Sequence, residues 1–325
     1  MKKILITGAL GLIGKELLKI LIKDNFEIIA IDLKGQIKRY KKFIKEHQNN
    51  NLKFVNCDIN SKKFISLSVG CYAIIHLAAM LGVENTEKNK NKCWEVNATG
   101  TENILKACKV NKINFFIFSS SSEVYGSQIY NKIDENHPLL GNNIYAVAKI
   151  ASENSIKFFK RNNKNFNYCN LRLFNTYGID QVAKFFISKS CFNIKKNKSI
   201  TVNGDGKQMR GYCYSSDTAY YIYLCLKNEN KIKNLTLNVG NSKEVYGLID
   251  LIKIIGKIKN KKIKYSLNKK FINTDRSLNR EIYNRVCDTK KIISLLKFKP
   301  KIDIIEGVTR VLSQKTISSD WPSNT

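Results

Sequence analysis

A glycine-rich turn near the N-terminus constrains the fold of this chain more than any other feature. The turn reads TGALGLIG and joins an apolar, β-prone segment at residues 3–7 to residues 12–23, where Leu and Ile recur at helical spacing. Gly8 permits a tight turn, Gly11 allows close approach to the backbone, and Gly14 lets the helix pack against the strand. A strand that turns so tightly into a helix opens a βαβ unit, so the sequence predicts an α/β fold.

An aspartate follows this turn at the sequence distance expected for a residue that binds the ribose of a dinucleotide. The second apolar segment, residues 27–32, ends in Asp32, 18 residues after Gly14. A carboxylate at this place hydrogen-bonds the adenosine ribose of a dinucleotide, whose pyrophosphate lies near Gly11 at the helix N-terminus. Because an acid here repels a 2′-phosphate, the sequence predicts NAD rather than NADP as the cofactor.

Strand-like and helix-like segments alternate through the first half of the chain. Further β-prone runs lie at 52–55, 72–76 and 115–118, and helical patterns lie at 92–109 and 144–160. The alternation predicts a Rossmann-like, doubly wound parallel sheet with helices on both faces. After about Arg172 the segments shorten, so we expect an NAD-binding domain at 1–172. Residues 173–325 should form a smaller mixed α/β lobe that mainly binds substrate, with some segments returning to the sheet.

The amino-acid composition bears on the compartment and on the classes of partner, but it does not identify a function. The net charge of +30 suits a polyanionic partner. However, the lysines are dispersed in short groups, such as residues 195–198, which is more typical of a solvated surface, and we expect no nucleic-acid partner. Nine cysteines without a C-x-x-C pair, and three histidines in unrelated contexts, predict a reducing cytoplasm and no metal site. No apolar run is long enough to predict membrane insertion.

A series of short motifs follows the glycine turn in a fixed order. They are CDI at 57–59, HLAA at 76–79, Asn97 in VNATGT, FSSSSEVYG at 118–126, YAVAK at 145–149, LRLFNTYG from 171, GDGKQMRGYCYSSD from 204 and LNVGN from 237. Together they resemble the extended short-chain dehydrogenase/reductase family, in its nucleotide-sugar epimerase and dehydratase branch, over about residues 2–312. The resemblance implies NAD contacts by Gly8, Gly11, Leu12, Ile13, Gly14, Asp32, Leu33, Asp58, Ile59, Leu77, Ala78, Ala79, Asn97, Tyr145, Lys149 and Phe174.

The tyrosine motif is the candidate catalytic element. Tyr-x-x-x-Lys occurs at Tyr145, Tyr223 and Tyr265, but only Tyr145 opens a helix that follows the fifth strand. Lys149 lies one helical turn beyond Tyr145, so the two side chains share a face. A phenol with a pKa near 10 is a poor base, and a nearby ammonium together with the nicotinamide would lower that pKa. We interpret Tyr145 as the base for a sugar hydroxyl and Lys149 as the ligand of the nicotinamide ribose.

The resemblance also assigns residues to the substrate. Ser121 matches the family Ser/Thr that shares the hydroxyl proton, and Ser122 is expected beside the sugar. The second lobe carries candidates for the diphosphate of a nucleoside-diphosphate sugar: Asn175, Arg210 and Arg285, with Arg280 a rival for the last position. Arginine suits this role because its planar fork pairs bidentately with phosphate. Family members commonly form dimers through four helices, so we expect a homodimer formed by 92–109 and 144–160.

The presence of Glu123 is compatible with more than one type of reaction. A 4-epimerase needs no carboxylate at this position, whereas a 4,6-dehydratase uses a similar glutamate to remove the C5 proton, and UDP-glucuronate decarboxylases also carry a Ser-Glu pair before Val-Tyr-Gly. Ser122 stands where dTDP-glucose dehydratases have an acid, and Asp32 argues against the NADP of the GDP-mannose type. We therefore predict an NAD-dependent nucleotide-sugar epimerase, with a dehydratase or decarboxylase that uses Glu123 as the alternative. A non-catalytic NAD-binding module is a further possibility.

Overall fold

A seven-stranded parallel sheet forms the centre of the molecule. The computed structural model of the protein describes residues 1–270 and 281–321. Its strands are β1 (Lys2–Thr7), β2 (Phe26–Asp32), β3 (Leu52–Asn56), β4 (Ala73–His76), β5 (Phe115–Ser121), β6 (Asn167–Leu173), β7 (Thr176–Tyr177), β8 (Ile200–Asn203), β9 (Met209–Gly211), β10 (Cys213–Tyr214), β11 (Leu235–Val239), β12 (Val245–Tyr246), β13 (Tyr265–Asn268) and β14 (Asn284–Arg285). The large sheet has the order β11-β6-β5-β4-β1-β2-β3.

Helices connect the strands and cover both faces of the sheet. They are α1 (Leu12–Leu21), α2 (Lys34–Arg39), α3 (Lys41–His47), α4 (Lys63–Leu67), α5 (Val83–Lys88), α6 (Lys90–Trp94), α7 (Gly100–Val110), α8 (Ile144–Asn162), α9 (Phe186–Lys195), α10 (Ser215–Lys227), α11 (Glu229–Ile232), α12 (Leu248–Ile258), α13 (Lys290–Leu296) and α14 (Ile304–Ser313). A π-helix, Glu95–Thr99, joins α6 to α7, and a 3₁₀ turn, Ser122–Tyr125, follows β5. Within the described residues, no helix is long and apolar enough to cross a membrane.

Strand alternation divides the core between the two faces of the sheet. Ile4 and Ile6 of β1 belong to a buried cluster with Leu17 of α1 and Ile222 of α10. Leu5, between them, faces the opposite cluster, which includes residues of α7 and α8. Since successive side chains of a strand point to opposite faces, one apolar strand supplies both cores. The predicted doubly wound α/β fold is confirmed.

The two neighbours of β1, one on each side, define where along the carboxyl ends of the strands a ligand can bind. The chain continues from β1 to β2 on one side, while β4 pairs with β1 on the other. In an open parallel sheet, the crevice beyond the strand carboxyl ends at such a reversal is the usual binding place. The glycine turn after β1 and the segment after β4 both border this crevice.

The segments after residue 173 form a smaller lobe but also complete the large sheet. A third core packs α9, α12 and α14 against β8, with Ile187, Leu251 and Val308 among its buried residues. β11 leaves this lobe and pairs in parallel with β6 at the edge of the large sheet.

Three elements differ from the expected pattern in ways that bear on the site or its helices. α1 ends at Leu21 rather than 23, β5 continues to Ser121, and the helix expected at 92–109 contains the π-helix. The serines extend β5 because they continue its pairing with β6 up to Leu173, although they are less β-prone than the phenylalanines before them.

Candidate active site

The glycine turn after β1 forms an uncapped helix N-terminus. Gly8 has φ of +64°, and a Cβ there would lie 2.6 Å from the backbone nitrogen of Ala78. Gly11 is the N-cap of α1 and supplies no side chain to its first-turn N–H groups, and α1 has no acidic residue in its first turn. These N–H groups, at Leu12, Ile13 and the residues that follow, are therefore suited to bind a phosphate.

Asp32 lies at the end of β2 beside this turn. Its carboxylate accepts hydrogen bonds from the backbone N–H groups of Leu10 and Leu33, each at 2.9 Å. Burial raises the pKa of Asp32 to about 6, while these two hydrogen bonds oppose the rise. The carboxylate thus organises the glycine turn as well as facing the crevice.

The opposite wall of the crevice comes from the ends of β3 and β4. Asp58 is exposed and its Oδ1 accepts from Asn60 N, whereas Ile59 is buried. Leu77 N donates to Thr7 O and Ala78 N donates to Thr7 Oγ1, which fix the segment Leu77–Ala79 against the glycine turn.

Asn97 is buried within the π-helix. Its Nδ2 donates to Met80 O at 2.9 Å, and its backbone carbonyl accepts from the hydroxyls of Thr101 and Ser152. Its Oδ1 is buried and has no hydrogen-bond partner among the described residues. The amide therefore presents a free acceptor next to the candidate site.

Ser121, Tyr145 and Lys149 meet at the carboxyl end of β5. Ser121 accepts a hydrogen bond from Glu123 N and lies close enough to Tyr145, in the first turn of α8, to lower the pKa of that phenol. Lys149 is buried, and its Nζ donates to Ser119 O at 2.8 Å and lies 5.8 Å from the centroid of the Tyr145 ring. Asn143 caps α8 by accepting from Ala146 N, which fixes the start of the helix and hence Tyr145.

The titration behaviour of this cluster differs from the expectation. Burial raises the pKa of Tyr145, and the hydrogen bond with Ser121 only partly offsets that rise. Burial also lowers the pKa of Lys149 to about 7. The sequence suggested that Lys149 and a bound nicotinamide together would depress the pKa of Tyr145; among the protein groups alone, the Lys149 amine is directed to the Ser119 carbonyl, and desolvation dominates both pKa values.

Glu123 forms an ion pair across the two lobes. Its Oε1 accepts from Nη1 of Arg285 on β14, and its Oε2 accepts from Asn143 Nδ2 at 3.1 Å. The Arg285 side chain is only 7% exposed, and its Nε has no hydrogen-bond partner among the described residues. The candidate C5 base and one candidate phosphate ligand are therefore bound to each other.

Two of the remaining substrate candidates, Arg210 and Asn175, lie in the second lobe. Arg210 pairs in register with Arg285, so both side chains lie on the same face of the small sheet. Arg210 donates to the carbonyls of Met209, Ile282 and Tyr283. Asn175 follows β6, and its carbonyl accepts from Cys213 N. Two further candidates are buried, Ser122 in the 3₁₀ turn and Phe174 after β6, whereas Arg280 lies outside the described residues.

A buried polar network below the cluster was not predicted. Arg172 of β6 donates to both carboxylate oxygens of Glu153 on α8, at 3.0 and 2.8 Å, and Glu153 also accepts from Ser120. Arg172 further donates to the hydroxyl of Tyr125, which in turn donates to Asn238 of β11 at 2.6 Å. An arginine on the β-prone segment that forms β6 and a glutamate two turns after Tyr145 were the available signals.

Comparisons with known proteins agree on one family. The family described as GDP-mannose 4,6 dehydratase matches residues 5–311. A protein of Methanocaldococcus jannaschii, provisionally named UDP-glucose 4-epimerase, is 32% identical over 95% of this chain and 97% of its own length. Human dTDP-D-glucose 4,6-dehydratase is 28% identical over 70% of this chain and 66% of its own length. The crystal structure of UDP-glucuronic acid 4-epimerase from Bacillus cereus, in complex with UDP-glucuronic acid and NAD, has a TM-score of 0.85 at 26% identity and covers 94% of this chain and 96% of its own.

Proposed function

The chain belongs to the GDP-mannose 4,6 dehydratase family, and we propose that it is an NAD-dependent nucleotide-sugar epimerase of the 4-epimerase type. The observation that carries this proposal is the meeting of Ser121, Tyr145 and Lys149 at the carboxyl edge of the sheet, with the Lys149 Nζ 5.8 Å from the centroid of the Tyr145 ring. The similarity to proteins named as 4-epimerases supports it.

The residues of the crevice fit NAD. The uncapped N-terminus of α1 would bind the pyrophosphate, and Asp32 would accept from the adenosine ribose. Asp58 would contact the adenine, and Lys149 would bind the nicotinamide ribose. A carboxylate at Asp32 favours NAD over NADP because it repels a 2′-phosphate. When bound, NAD supplies a hydride acceptor that can return the hydride to either face of the sugar.

The residues of the chain supply proton transfer and orientation. Ser121 and Tyr145 present two hydroxyls that can hold one sugar hydroxyl between them, with Tyr145 Oη accepting its proton and later returning it. In this proposal Lys149, when protonated, adds positive charge below the phenol, since its Nζ lies 5.8 Å from the centroid of the Tyr145 ring. Lys149 is buried and Tyr145 is partly buried, which limits the access of water to the proton-transfer step.

A nucleoside-diphosphate sugar is the proposed substrate class. Arg210 and Arg285 lie on one face of the small sheet beside the site, where two guanidinium groups can bind a diphosphate. Asn175 follows the end of β6, and its carbonyl accepts from Cys213 N, two residues after Gly211 of β9. In this proposal the large sheet binds NAD, and the elements after residue 173 bind the substrate.

The environment of Glu123 favours epimerisation over dehydration. Arg285 and Asn143 both donate to this carboxylate. Such hydrogen bonds stabilise the ionised form and make proton abstraction from a carbon atom less favourable. A 4,6-dehydratase or a UDP-glucuronate decarboxylase-like enzyme is the second candidate, since Glu123 still lies beside Tyr145, close enough for its charge to raise the pKa of that phenol.

The helices expected to form a dimer interface carry exposed apolar side chains. Val147 and Phe158 of α8 are 43% and 66% exposed, and Trp94 of α6 is 41% exposed. Val147 and Phe158 are three turns apart and therefore share one face of α8. These side chains support a homodimer through α6–α7 and α8. The nine cysteines form no disulfide, which supports a reducing cytoplasm as the compartment.

The product mass from a panel of UDP-, dTDP-, GDP- and CDP-sugars tests the reaction. We expect an unchanged mass and a new sugar stereoisomer when purified protein and NAD meet the correct substrate. Loss of water would establish a dehydratase, and loss of carbon dioxide a decarboxylase. Binding of NAD without conversion of any sugar would support a binding module instead.

A pair of tyrosine variants tests the catalytic assignment. Tyr145→Phe should lower turnover by about 10²–10⁴-fold, because it removes the proton acceptor while leaving the fold intact. Tyr223→Phe is a matched control, since Tyr223 also begins a Tyr-x-x-x-Lys pattern but lies on α10, where its hydroxyl donates to Asp24. Equal turnover in the two variants would exclude Tyr145 as the base.

Glu123→Gln separates the two reaction types on the same substrate. An epimerase should lose less than about 10²-fold in turnover, whereas removal of a general base costs about 10²–10⁴-fold. A larger loss, together with a product that has lost water, would assign the C5 proton to Glu123.

A further inference from the structure

One end of the second lobe carries a dense cluster of lysines. We call residues 195–198 and 257–264 the lysine face. Eight of these twelve residues are lysine and exposed, whereas the whole chain has 56 Lys and Arg in 325 residues. They are Lys195, Lys196, Lys198, Lys257, Lys259, Lys261, Lys262 and Lys264. The enrichment exceeds what the lysine-rich composition alone accounts for, and it revises the expectation that the group at 195–198 is simply dispersed surface charge.

The fold brings the two lysine segments together. β8 and β13 pair in parallel with Ile200 opposite Tyr265, and Ile200 N donates to Lys264 O at 3.1 Å. The residues that precede two in-register parallel strands lie at the same end of the ladder. Residues 195–198 and 261–264 are therefore neighbours in space although they are distant in sequence.

Interactions within the protein account for few of these lysines. Lys195 and Lys257 lie in the last turns of α9 and α12, where the helix dipole favours a cation, but the other six lie outside helices. Lys195 Nζ also donates to Gln314 O. Among the described residues, no carboxylate forms an ion pair with any of the eight. The cluster is thus an uncompensated positive surface.

Exposed apolar side chains lie directly beside the lysines. Tyr265 and Leu267 of β13 are 43% and 40% exposed, and residues two apart on a strand point to the same face. A cationic surface with an aromatic and an aliphatic side chain at its edge is suited to the headgroup region of an anionic bilayer. Single-stranded nucleic acid would instead be bound by several stacked aromatic rings along a groove, and β13 offers a single ring.

We propose that the lysine face, together with Tyr265 and Leu267, docks the protein reversibly on an anionic phospholipid surface. Several lysines act together through the surface potential of the membrane, while the two apolar side chains enter the interface. The attraction falls off within about 10 Å at moderate ionic strength, so added salt should release the protein. The docking surface is separate from Ser121 and Tyr145 and does not depend on the proposed reaction.

Vesicle sedimentation with charge-matched variants tests this proposal. The full chain is mixed with vesicles of equal parts phosphatidylglycerol and phosphatidylcholine, or of phosphatidylcholine alone. One variant combines Lys261→Gln, Lys262→Gln and Lys264→Gln. The control combines Lys41→Gln, Lys42→Gln and Lys45→Gln, which removes the same charge from exposed positions on α3. A third variant combines Tyr265→Ser and Leu267→Ser.

We expect salt-sensitive binding to the anionic vesicles alone, weakened about tenfold or more in the first triple variant and unchanged in the control. The Tyr265/Leu267 variant should also bind more weakly. Equal loss in both triple variants would overturn the proposal in favour of a general charge effect. Absence of vesicle binding, or tighter binding to single-stranded RNA that the Tyr265/Leu267 substitutions leave unchanged, would also overturn it.

Discussion

Breaking the buried pair between Arg172 and Glu153 should destabilise the protein more than any surface charge change. The side chains are 4% and 0% exposed, and two hydrogen bonds join them. Arg172→Met leaves the Glu153 carboxylate with the Ser120 hydroxyl as its remaining side-chain partner, and Glu153→Gln leaves the guanidinium without a counter-ion. Removing one member of a buried pair costs about 3–5 kcal/mol, so each single variant should lose that much stability.

The double variant provides the sharper measurement. With both charges removed, no ion remains buried without a partner, so the loss should be smaller than the sum of the two single losses by about 2 kcal/mol or more. Urea unfolding followed by tryptophan fluorescence measures all four proteins, and Lys42→Gln, which removes an exposed pair, should change the free energy of unfolding by less than about 0.5 kcal/mol. Additive losses, or single losses below about 1 kcal/mol, would refute the reasoning.

Four further changes test the cofactor site, the glycine turn, the buried lysine and the dimer. Asp32→Ala should weaken NAD binding about 10–100-fold relative to NADP, measured by calorimetry, because it removes a charged hydrogen-bond acceptor. Gly8→Ala should lower the thermal midpoint more than Gly70→Ala; both have positive φ, but only at Gly8 would the Cβ meet backbone, and equal shifts would contradict this. The pKa of Lys149 falls to about 7 in the folded state, and the unfolded chain retains the ordinary value near 10.5. The folded state therefore binds this proton more weakly, and as pH rises between these values the stability of the wild type relative to Lys149→Met should rise by up to about 1.4 kcal/mol per pH unit; a flat difference in urea unfolding would contradict the lowered pKa of Lys149. Phe158→Asp should convert a dimer to a monomer in light scattering, and an unchanged mass would exclude α8 from the interface.

Local patterns were sufficient to predict the sheet and its candidate edge. β1, β2 and the glycine turn between them begin within a residue of the predicted positions, because apolar runs and glycine spacing report directly on backbone geometry. The meeting of Ser121 and Tyr145 was also predictable, since residues at the carboxyl end of a parallel strand and at the start of the following helix gather at one edge.

Contacts between distant parts of the chain were not predictable. Glu123 and Arg285 are 162 residues apart, and nothing in either local sequence indicates that they pair. Periodicity likewise gives no measure of how deeply a charged group is buried, so the pKa of Lys149 and the Arg172–Glu153 pair required the packed structure.

The return of β11 to the large sheet has a consequence for how the protein is made. A nascent chain emerging from the ribosome carries β1 to β6 long before residues 235–239 are synthesised. Until then β6 is an open strand edge, a place where chains can associate with one another, and Tyr125 lacks its acceptor on Asn238. A fragment that stops at residue 172 would keep that defect permanently, so the cofactor-binding half should not be separable as a stable, soluble protein.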